Sequence, residues 1–265
     1  MKKSILKWAG GKKQIFPELE KHFCSGERFI EPFVGSGVVF LNTNYPEYII
    51  NDINSDLYYL YFHIKYNLDE FVDQVKQCFI DSSKDSFYNK REIFNQLKQD
   101  DILKSALFVF LNKNCFNGLC RYNKSGKFNV PYCDYKKKQT PPIVNIIDMH
   151  NKLQKCTIKN VDFTEIINQS KSGDIVYCDP PYLPLNEITH TSYHKDGFSF
   201  EQHVELSNCC LKASERGVKV ILSNHDTKEI RKIYKNCSFQ KIEVRRSISA
   251  NKNRNKVSEL IVVWN

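Results

Sequence analysis

The chain has 265 residues, of which 41% are hydrophobic, enough to bury one substantial core and to carry an inserted subdomain. Lysine and arginine number 39 against 30 acidic residues, and the resulting net charge of +9 favours a polyanionic partner such as nucleic acid. The opening segment MKKSILKWAGGKK lacks the apolar core of a signal peptide, and the longest apolar run, ALFVFL, is too short to cross a bilayer. We therefore expect a cytoplasmic protein and exclude a membrane protein.

The cysteines give no sign of a metal site. The chain has 10 cysteines without any Cys-x-x-Cys pair, which predicts free thiols in a reducing compartment. Cys115 and Cys120 lie close in sequence, and we interpret them as ordinary thiols. His190 and His194 are interpreted as exposed loop residues. No metal ligand is predicted.

Strands and helices alternate in the first part of the chain. In ERFIEPFVGSGVVFLN, a strand at about 28–31 gives way to a glycine-containing turn and the start of a helix. A second apolar strand, at 47–51, ends at Asp52 and precedes another helix. Such strand–turn–helix units are typical of a parallel α/β sheet.

The middle of the chain has a different pattern. Helical periodicity runs from about 57 to 134 without a convincing strand, and the alternation returns after Pro142. The last two β-rich runs, FQKIEVRRSIS and SELIVVWN, predict an antiparallel hairpin at a sheet edge. The sequence thus predicts a doubly wound α/β domain formed by 1–56 and 145–265, interrupted by a helical domain at 57–144.

Two features suggest a nucleoside cofactor. Ligands of such sheets bind at the carboxyl ends of the strands, where Gly35 and Gly37 let the backbone approach a ligand. Asp52 follows Gly35 by 17 residues and can accept hydrogen bonds from a ribose diol. The turn lacks the third glycine of a dinucleotide fingerprint, so S-adenosylmethionine, which has no pyrophosphate, fits better. The glycine turn alone is also typical of an ordinary connection between a strand and a helix that binds no ligand.

The segment Asp179-Pro180-Pro181-Tyr182 closes the apolar strand DIVYC. Its prolines have no amide hydrogen, so the carboxylate and the carbonyls form a rigid surface of hydrogen-bond acceptors. A partner that donates two hydrogens is expected there, and the exocyclic amine of a nucleobase is such a donor. Tyr182 offers a face on which a base can stack. The simpler alternative is a rigid loop with a helix cap.

These motifs resemble those of a known family. The order FVGSG, helical insertion, DPPY is similar to that of the alpha-class (D12) adenine methyltransferases of DNA. The resemblance to the Dam enzymes, which methylate adenine in 5′-GATC, extends to LKWAGGKK, EPFVGSGVVFLN, DINSDL, NGLCRYNKSGKFNVP, YCDPPY, SNHDT and RRSIS. It implies a Rossmann-like methyltransferase sheet with a C-terminal antiparallel hairpin, interrupted by a helical target-recognition insertion.

The resemblance also implies a cofactor, a partner and a set of site residues. The cofactor would be S-adenosyl-L-methionine, converted to S-adenosyl-L-homocysteine, and the partner double-stranded DNA containing GATC. The protein would be a nucleoid-associated monomer without an obligate protein partner. The implied catalytic residues, which would hold a flipped adenine, are Asp179, Pro180, Pro181 and Tyr182. The implied cofactor contacts are Trp8, Lys12, Phe33, Gly35, Gly37, Asp52, Asp162, Phe163 and Asp179. The implied DNA contacts are Lys7, Phe116, Asn117, Leu119, Arg121, Asn129 and Pro131.

Within the recognition segment, Phe116 matches the family's aromatic ring that inserts into the duplex. Asn117 matches the next residue, which lies near the base left unpaired. Arg121 matches a fork for a guanine edge, while Leu119 and Pro131 match apolar contacts to a thymine methyl group. Relatives carry tyrosine at the inserting position, so this chain keeps the ring and loses a hydroxyl.

Two loops are predicted to contact the substrate. The basic loop RRSISANKNRNK would bind phosphates through Arg245, Arg246, Lys252 and Arg254, and a solvated hairpin is the alternative. The polar segment EITHTSYHKDGF is long enough to form a lid over the site. Asp134 stands where a basic residue would be expected to contact a phosphate.

Three alternative functions share the DPPY segment or the basic surface. The chain could methylate the N(4) amine of cytosine in DNA, or adenine in RNA, because both bases present a similar amine. It could instead be a DNA-binding regulator that has lost catalysis. The presence of Asp52, the glycine turn, Asp179 and Tyr182 together argues against that last alternative.

Overall fold

The computed structural model describes residues 1–183, 198–245 and 256–265. In these residues the helices are α1 (Phe16–Glu20), α2 (Val38–Asn42), α3 (Ser55–Tyr66), α4 (Leu68–Cys78), α5 (Lys84–Gln96), α6 (Ile102–Asn114), α7 (Ile143–Leu153), α8 (Phe163–Asn168), α9 (Phe200–Glu215) and α10 (Lys228–Ile233). The strands are β1 (Arg28–Glu31), β2 (Glu47–Asn51), β3 (Cys156–Lys159), β4 (Ile175–Cys178), β5 (Lys219–His225), β6 (Ser238–Arg245) and β7 (Lys256–Trp264). No helix of this described part is long and apolar enough to cross a membrane.

The strands form one mixed sheet in the order β3-β2-β1-β4-β5-β7-β6. β1 pairs in parallel with β2 and β4, and β4 pairs in parallel with β5. β7 is antiparallel to both of its neighbours, β5 and β6. This arrangement confirms the predicted methyltransferase-type α/β sheet, its first two strands and its antiparallel C-terminal pair.

The chain divides into two compact units and passes between them repeatedly. The first unit contains Met1–Lys13, Gly35–Asn42 and Asn54–Asn160, and the second contains Gln14–Val34, Thr43–Ile53 and Val161–Asn265. The segment 57–144, predicted as a helical insertion, lies within the first unit. Its assignment as the target-recognition domain stays a prediction.

The first unit is built around α6, which contacts α3, α4 and α5. Asp101 is the N-cap of this helix: its side chain accepts a hydrogen bond from the backbone nitrogen of Leu103 at 2.8 Å and so caps the first turn. Its sequence ILKSALFVFLNKN is apolar around most of the helix, and a helix of that kind is buried on all sides. Because α6 is packed on all sides, its carboxyl end holds the residues that follow Asn114 in a fixed position.

The second unit is built around the parallel strands. β4 is buried along its whole length, as expected for a central strand covered on both faces. On one face, residues of α8, α9 and α10 join side chains of the sheet in a single apolar core that includes Leu206, Val220 and Trp264. α9 begins with a capping box in which Ser199 and Gln202 bond reciprocally. The packed strands hold the loops at their carboxyl ends in place.

Candidate active site

The carboxylate of Asp179 lies directly after β4 and is held by a neighbouring strand. Its Oδ1 accepts a hydrogen bond from Ser223 Oγ of β5 at 3.0 Å. Ser223 Oγ lies 2.9 Å from Tyr177 Oη, and because the serine hydrogen points to the carboxylate, the tyrosine is the donor in this second bond. Burial, and then the charge of Asp179, raise the pKa of Tyr177 well above its ordinary value, so the phenol keeps its hydrogen. Asp179 is thus oriented by two hydroxyl groups in series.

Tyr182, at the other end of the segment, is also held by the sheet. Its Oη donates to Glu259 Oε2 at 3.4 Å, and its ring meets the His225 ring edge-on at 4.7 Å between centroids. His225 and Glu259 are opposite residues in the antiparallel pairing of β5 with β7. Burial raises the pKa of Tyr182 well above its ordinary value, and the charges of Asp179 and Glu259 add to this. The Tyr182 phenol is therefore neutral and its ring orientation is fixed.

An aromatic cluster lies at the ends of β1 and at the start of α8 and α9. The Phe33 ring is 5.4 Å from Phe163 and 5.5 Å from Phe198, and the last two are 5.4 Å apart. Offset and edge-to-face contacts at these distances stabilise each ring against its neighbours. The cluster provides an apolar wall that could hold a flat ligand.

A buried amide joins three loops near this cluster. The Asn51 side-chain Nδ2 donates to the carbonyls of Pro32 and Val161, both at 3.0 Å, and its Oδ1 accepts from the Val161 backbone nitrogen at 3.0 Å. The Asn51 carbonyl accepts from the backbone nitrogen of Val34 at 2.9 Å. These bonds fix the backbone immediately before Asp52 and before α8. Asp162, the next residue, caps α8 by accepting from the Thr164 backbone nitrogen at 2.9 Å.

In the first unit, the glycine turn is shaped by its neighbours. Gly35 has a φ of +49°, and a Cβ there would lie 2.8 Å from Trp8 Nε1, so no other residue fits without a shift. The Gly35 carbonyl accepts a hydrogen bond from Tyr61 Oη at 2.6 Å. Lys12 is buried and its Nζ donates to the Gly10 carbonyl at 2.6 Å. The turn therefore adopts a defined shape against Trp8.

Lys7 is fixed against the end of α6 in the same unit. The buried Asn112 side chain accepts from the Lys7 backbone nitrogen at 2.8 Å and donates to the carbonyls of Lys7, at 2.8 Å, and Gly118, at 3.0 Å. Lys7 Nζ donates to the Lys113 carbonyl at 2.8 Å and lies 3.8 Å from the centroid of the Tyr135 ring. Burial lowers the pKa of Lys7. Its side chain is thus held at the start of the segment 115–132.

The segment 115–132 folds back on itself through two isolated β-bridges, Cys115 with Tyr132 and Tyr122 with Phe128. At its start the Phe116 ring is 49% exposed, and Asn117 has a left-handed φ of 54°. This segment, which we call the recognition hairpin, therefore presents an apolar ring to solvent.

Two polar residues brace the far side of the recognition hairpin. Arg121 Nε donates to Asn129 Oδ1 at 2.8 Å, and its Nη2 donates to the Asn129 carbonyl at 3.4 Å. Leu119 is partly exposed and Pro131 is exposed, and the Pro131 carbonyl accepts from the Phe116 backbone nitrogen at 2.9 Å. These contacts hold Arg121 and Asn129 as a pair.

No cluster of three or more His, Cys, Asp or Glu side chains suited to a metal occurs in the ranges 1–183, 198–245 and 256–265. The 10 cysteines are free thiols. Cys115 is buried, and burial raises the pKa of its thiol to about 12, which is unfavourable for metal ligation.

Comparison with known proteins identifies the family. The model of the D12 class N6 adenine-specific DNA methyltransferases matches residues 8–248. This chain is a member of that family. Proteins named DNA adenine methylase are similar over 99% of the chain: that of Serratia marcescens is 40% identical and covered over 98% of its length, and that of Escherichia coli strain K12 is 39% identical and covered over 95%. The chain is therefore an adenine-specific DNA methyltransferase enzyme.

The residues implied for the D12-class site fall on both units. Trp8, Lys12, Gly35 and Gly37 belong to the first unit, and Phe33, Asp52, Asp162, Phe163 and the segment 179–182 belong to the second. The structure brings Phe33 together with Phe163, and Trp8 together with Gly35. Asp162 has one carboxylate oxygen engaged by its own helix. The cofactor-binding and catalytic roles of these residues stay predictions.

The residues implied for DNA contact gather mainly on the recognition hairpin of this D12-class enzyme. Phe116, Asn117, Leu119, Arg121, Asn129 and Pro131 all lie on it, and Lys7 is fixed at its start. Arg245 ends β6. Arg246, Lys252 and Arg254 lie outside the described residues, as does the proposed lid with His190 and His194 except for its last residue, Phe198.

Several residues of the site had no role assigned from the sequence. Ser223 and His225 lie within SNHDT, which carried the family resemblance without indicating what the side chains contact. Asn51 ends β2 and Glu259 lies within β7, and the partners of both are distant in sequence. For Asn51, an amide at the end of an apolar strand was the available signal, since an acid in the same place selected Asp52 and Asp179.

Proposed function

We propose that this chain transfers a methyl group from S-adenosyl-L-methionine to the exocyclic N(6) amine of an adenine flipped out of double-stranded 5′-GATC. The observation that carries the proposal is the Asp179 carboxylate, held by Ser223 beside rigid proline carbonyls at the end of β4. Membership in the D12 class supports DNA adenine as the target. The resemblance of the recognition hairpin and its flanking motifs to the Dam enzymes supports GATC.

S-adenosyl-L-methionine fits the residues predicted to hold it. Asp52 directly follows β2, where a carboxylate can accept hydrogen bonds from a ribose. Phe33 and Phe163 offer an apolar wall for an adenine ring. Gly35 lets the turn pack directly against Trp8, which places the predicted cofactor contacts Trp8 and Gly35 side by side. When bound, the molecule supplies a methyl group that is already activated by its sulfonium.

Asp179 and the Pro180 carbonyl are the acceptors for the two hydrogens of the adenine amine. Accepting both hydrogens draws the nitrogen out of conjugation with the ring and directs its lone pair towards the incoming carbon. As the nitrogen gains the methyl group it becomes positive, and the carboxylate stabilises that charge until one of the two amine protons is lost to solvent water. The bond from Ser223 fixes the carboxylate beforehand, so little reorganisation is needed during the reaction.

Tyr182 provides a neutral ring for the flipped base. Because Glu259 accepts from its Oη and His225 packs at its edge, the ring is held without help from the substrate. Flipping costs a few kcal/mol of lost stacking and pairing, and stacking on an aromatic side chain offsets about 1–3 kcal/mol of that cost. Tyr182 therefore stabilises the extrahelical state.

The recognition hairpin supplies the DNA contacts in this proposal. Phe116 is the exposed ring that would enter the space left by the flipped base. Arg121 presents a guanidinium braced by Asn129, and a fork of this kind can read the O6 and N7 edge of guanine. Lys7, fixed by Asn112 and beside Tyr135, is the further base contact.

The proposal is tested by transfer of a labelled methyl group. Purified protein is incubated with labelled S-adenosyl-L-methionine and either a duplex with one GATC site or a control duplex in which an A·T pair is changed to give GTTC, and both are digested to nucleosides. We expect N(6)-methyladenine from the GATC duplex alone. We also expect Asp179→Asn to lower the rate at least about 100-fold, because it removes the charge that stabilises the transition state.

The control variant is Asp85→Asn, which makes the same chemical change at an exposed position on α5 and should leave the rate unchanged. Methylated adenine from both duplexes would refute the GATC assignment and keep the chemistry. Methylated cytosine, or transfer to RNA alone, would contradict the substrate. Full activity of Asp179→Asn would contradict the proposed catalytic role.

A further inference from the structure

Three polar side chains are buried behind the segment 179–182 in the core of the second unit. His203 on α9, Asn224 on β5 and Tyr234 directly after α10 each have 0% of their surface exposed. A buried polar group costs free energy unless it is hydrogen-bonded, and an apolar residue would fill the same space without that cost. The contacts among these three side chains suggest what they do.

The hydrogen bonds of the three side chains have a definite direction. Asn224 Oδ1 accepts from the His225 backbone nitrogen at 2.8 Å, so the amide nitrogen points the other way. That nitrogen is buried and has no hydrogen bond of regular geometry among the described residues, but the side chain acts on the Tyr234 phenol and lowers its pKa against the effect of burial. Burial keeps the Tyr234 hydroxyl protonated, and its oxygen lies 2.8 Å from His203 Nδ1. Tyr234 is therefore the donor and Nδ1 the acceptor. Burial lowers the pKa of His203 to about 4, so the neutral ring carries its hydrogen on Nε2.

The second ring nitrogen of His203, Nε2, is not engaged by Tyr234, which contacts Nδ1. It is buried and has no hydrogen bond of regular geometry among the described residues, yet the backbone of Pro181 interacts with the ring and raises its pKa against the effect of burial. Proline has no amide hydrogen, so the interacting atom is the Pro181 carbonyl. A donor and an acceptor that are close but poorly aligned in a free enzyme can close into a full bond when substrate binds.

The His203 ring also contacts the aromatic cluster. It meets the Phe198 ring edge-on at 4.7 Å, and Phe198 packs on Phe33 and Phe163. His203 therefore lies between the side chains predicted to hold the cofactor and the backbone predicted to hold the target amine.

We propose that His203, as the neutral Nε2–H tautomer set by Tyr234 and Asn224, is a positioning residue that donates a hydrogen bond to the Pro181 carbonyl and so aims the acceptors of the segment 179–182. The inference rests on the proposed role of that segment in holding the adenine amine. The pyrrolidine ring fixes φ of Pro181, so ψ of Pro181 is the one remaining rotation between the Pro180 and Pro181 carbonyls, and a hydrogen bond to the Pro181 carbonyl restrains it.

The test compares three variants in single-turnover methylation of the GATC duplex. His203→Leu removes both polar atoms, His203→Gln keeps an amide that can donate to Pro181, and Tyr234→Phe removes the donor that sets the tautomer. We expect His203→Leu to lower the methyl-transfer rate about 10- to 100-fold, with KM for DNA and affinity for S-adenosyl-L-methionine within about twofold. His203→Gln should recover most of the rate, and Tyr234→Phe should lie between.

The control is His63→Leu. His63 is also a buried histidine, in α3 of the first unit, and its Nε2 lies 3.1 Å from the Asp100 carbonyl. It should lose thermal stability without a change in methyl-transfer rate at a temperature where it is folded. If His203→Leu fails to fold, the test compares His203→Gln with Tyr234→Phe. A rate close to that of the unchanged protein in His203→Gln and a lower rate in Tyr234→Phe would support the proposal, and equal rates in the two variants would overturn it.

A wild-type rate in His203→Leu would overturn the positioning role. Equal losses in folded His203→Leu and His203→Gln would also overturn it, since they would show that the ring acts through its shape. Neither result touches the proposed function, which fails separately if Asp179→Asn keeps full activity.

Discussion

Ser223 is the residue that most directly fixes the Asp179 carboxylate. Its Oγ donates to Oδ1 at 3.0 Å, and Tyr177 in turn holds the serine oxygen at 2.9 Å. We expect Ser223→Ala to lower the single-turnover rate of methyl transfer about 10- to 100-fold, because a hydrogen bond to a charged group contributes about 1.5–3 kcal/mol. The affinity for S-adenosyl-L-methionine, measured by calorimetry, should stay within about twofold.

The matched control for this prediction is Ser214→Ala in α9. The Ser214 hydroxyl donates to the Leu211 carbonyl of its own helix and contacts no residue assigned to the site. A Ser223→Ala enzyme as fast as Ser214→Ala would show that other contacts orient Asp179.

At the residue scale, the sequence predicted Asp179 and Tyr182 as candidate site residues but not the side chains that hold them. Asp179 and Asp52 could be selected because each is an acid that ends an apolar strand. Ser223 could not be assigned to Asp179 in the same way, since their hydrogen bond joins β5 to the end of β4 and depends on the pairing of the two strands. The hydrogen bond between Glu259 and Tyr182 likewise joins residues that are distant in sequence and could not be predicted.

At the scale of elements, local patterns predicted the strands and most long helices well. The strands predicted at 28–31 and 47–51 are confirmed as β1 and β2. The β-rich runs FQKIEVRRSIS and SELIVVWN indicated β6 and β7, and their antiparallel pairing is confirmed. The position of β7 between β5 and β6 could not be read from order along the chain, since adjacency in a sheet depends on contacts between distant segments.

Gly118 is the point at which the recognition hairpin meets the N-terminal segment. It has a φ of +63°, and a Cβ there would lie 2.2 Å from Lys7 Cβ. We expect Gly118→Ala to displace Lys7, to weaken binding of the GATC duplex at least about tenfold and to lower the thermal midpoint, because both the backbone and the packing are strained. Fluorescence anisotropy with labelled duplex and thermal melting measure the two effects.

Gly126 is the control for the strain in the backbone alone. It has a similar φ of +73°, but a Cβ there would meet no atom within 4 Å. Gly126→Ala should therefore have the cost of a left-handed alanine, roughly 1 kcal/mol, and leave DNA affinity nearly unchanged. Equal losses of DNA affinity in the two variants would contradict a specific role for the contact of Gly118 with Lys7.

At the scale of the whole molecule, the net charge of +9 allows a test of where DNA lies. If Arg245, Arg246 and Arg254 contact phosphates, replacing all three with glutamine should reduce the slope of log affinity against log salt concentration by about 3, or 0.9 for each contact. The affinity should fall by a similar factor on GATC and control duplexes, since phosphates carry no sequence information.

A triple variant of Lys212, Lys228 and Lys232 to glutamine makes the same change in net charge. These lysines lie on α9 and α10, away from the basic loop in sequence. We expect its salt slope to remain close to that of the unchanged protein. Similar slopes for both triple variants would show that the basic loop is a solvated hairpin.

The place of β7 in the sheet has a consequence for how each new molecule is made. β7 is the last of the seven strands to be synthesised, yet both β5 and β6 pair with it. Residues 226–255 separate β5 from β7, 30 residues in all, and a ribosome needs about 2–6 s to add them. During those seconds β5, with Ser223 on it, has an edge of unpaired backbone groups that another chain could join. A nascent chain of this enzyme is therefore most exposed to aggregation, and most in need of a chaperone, just before β7 emerges.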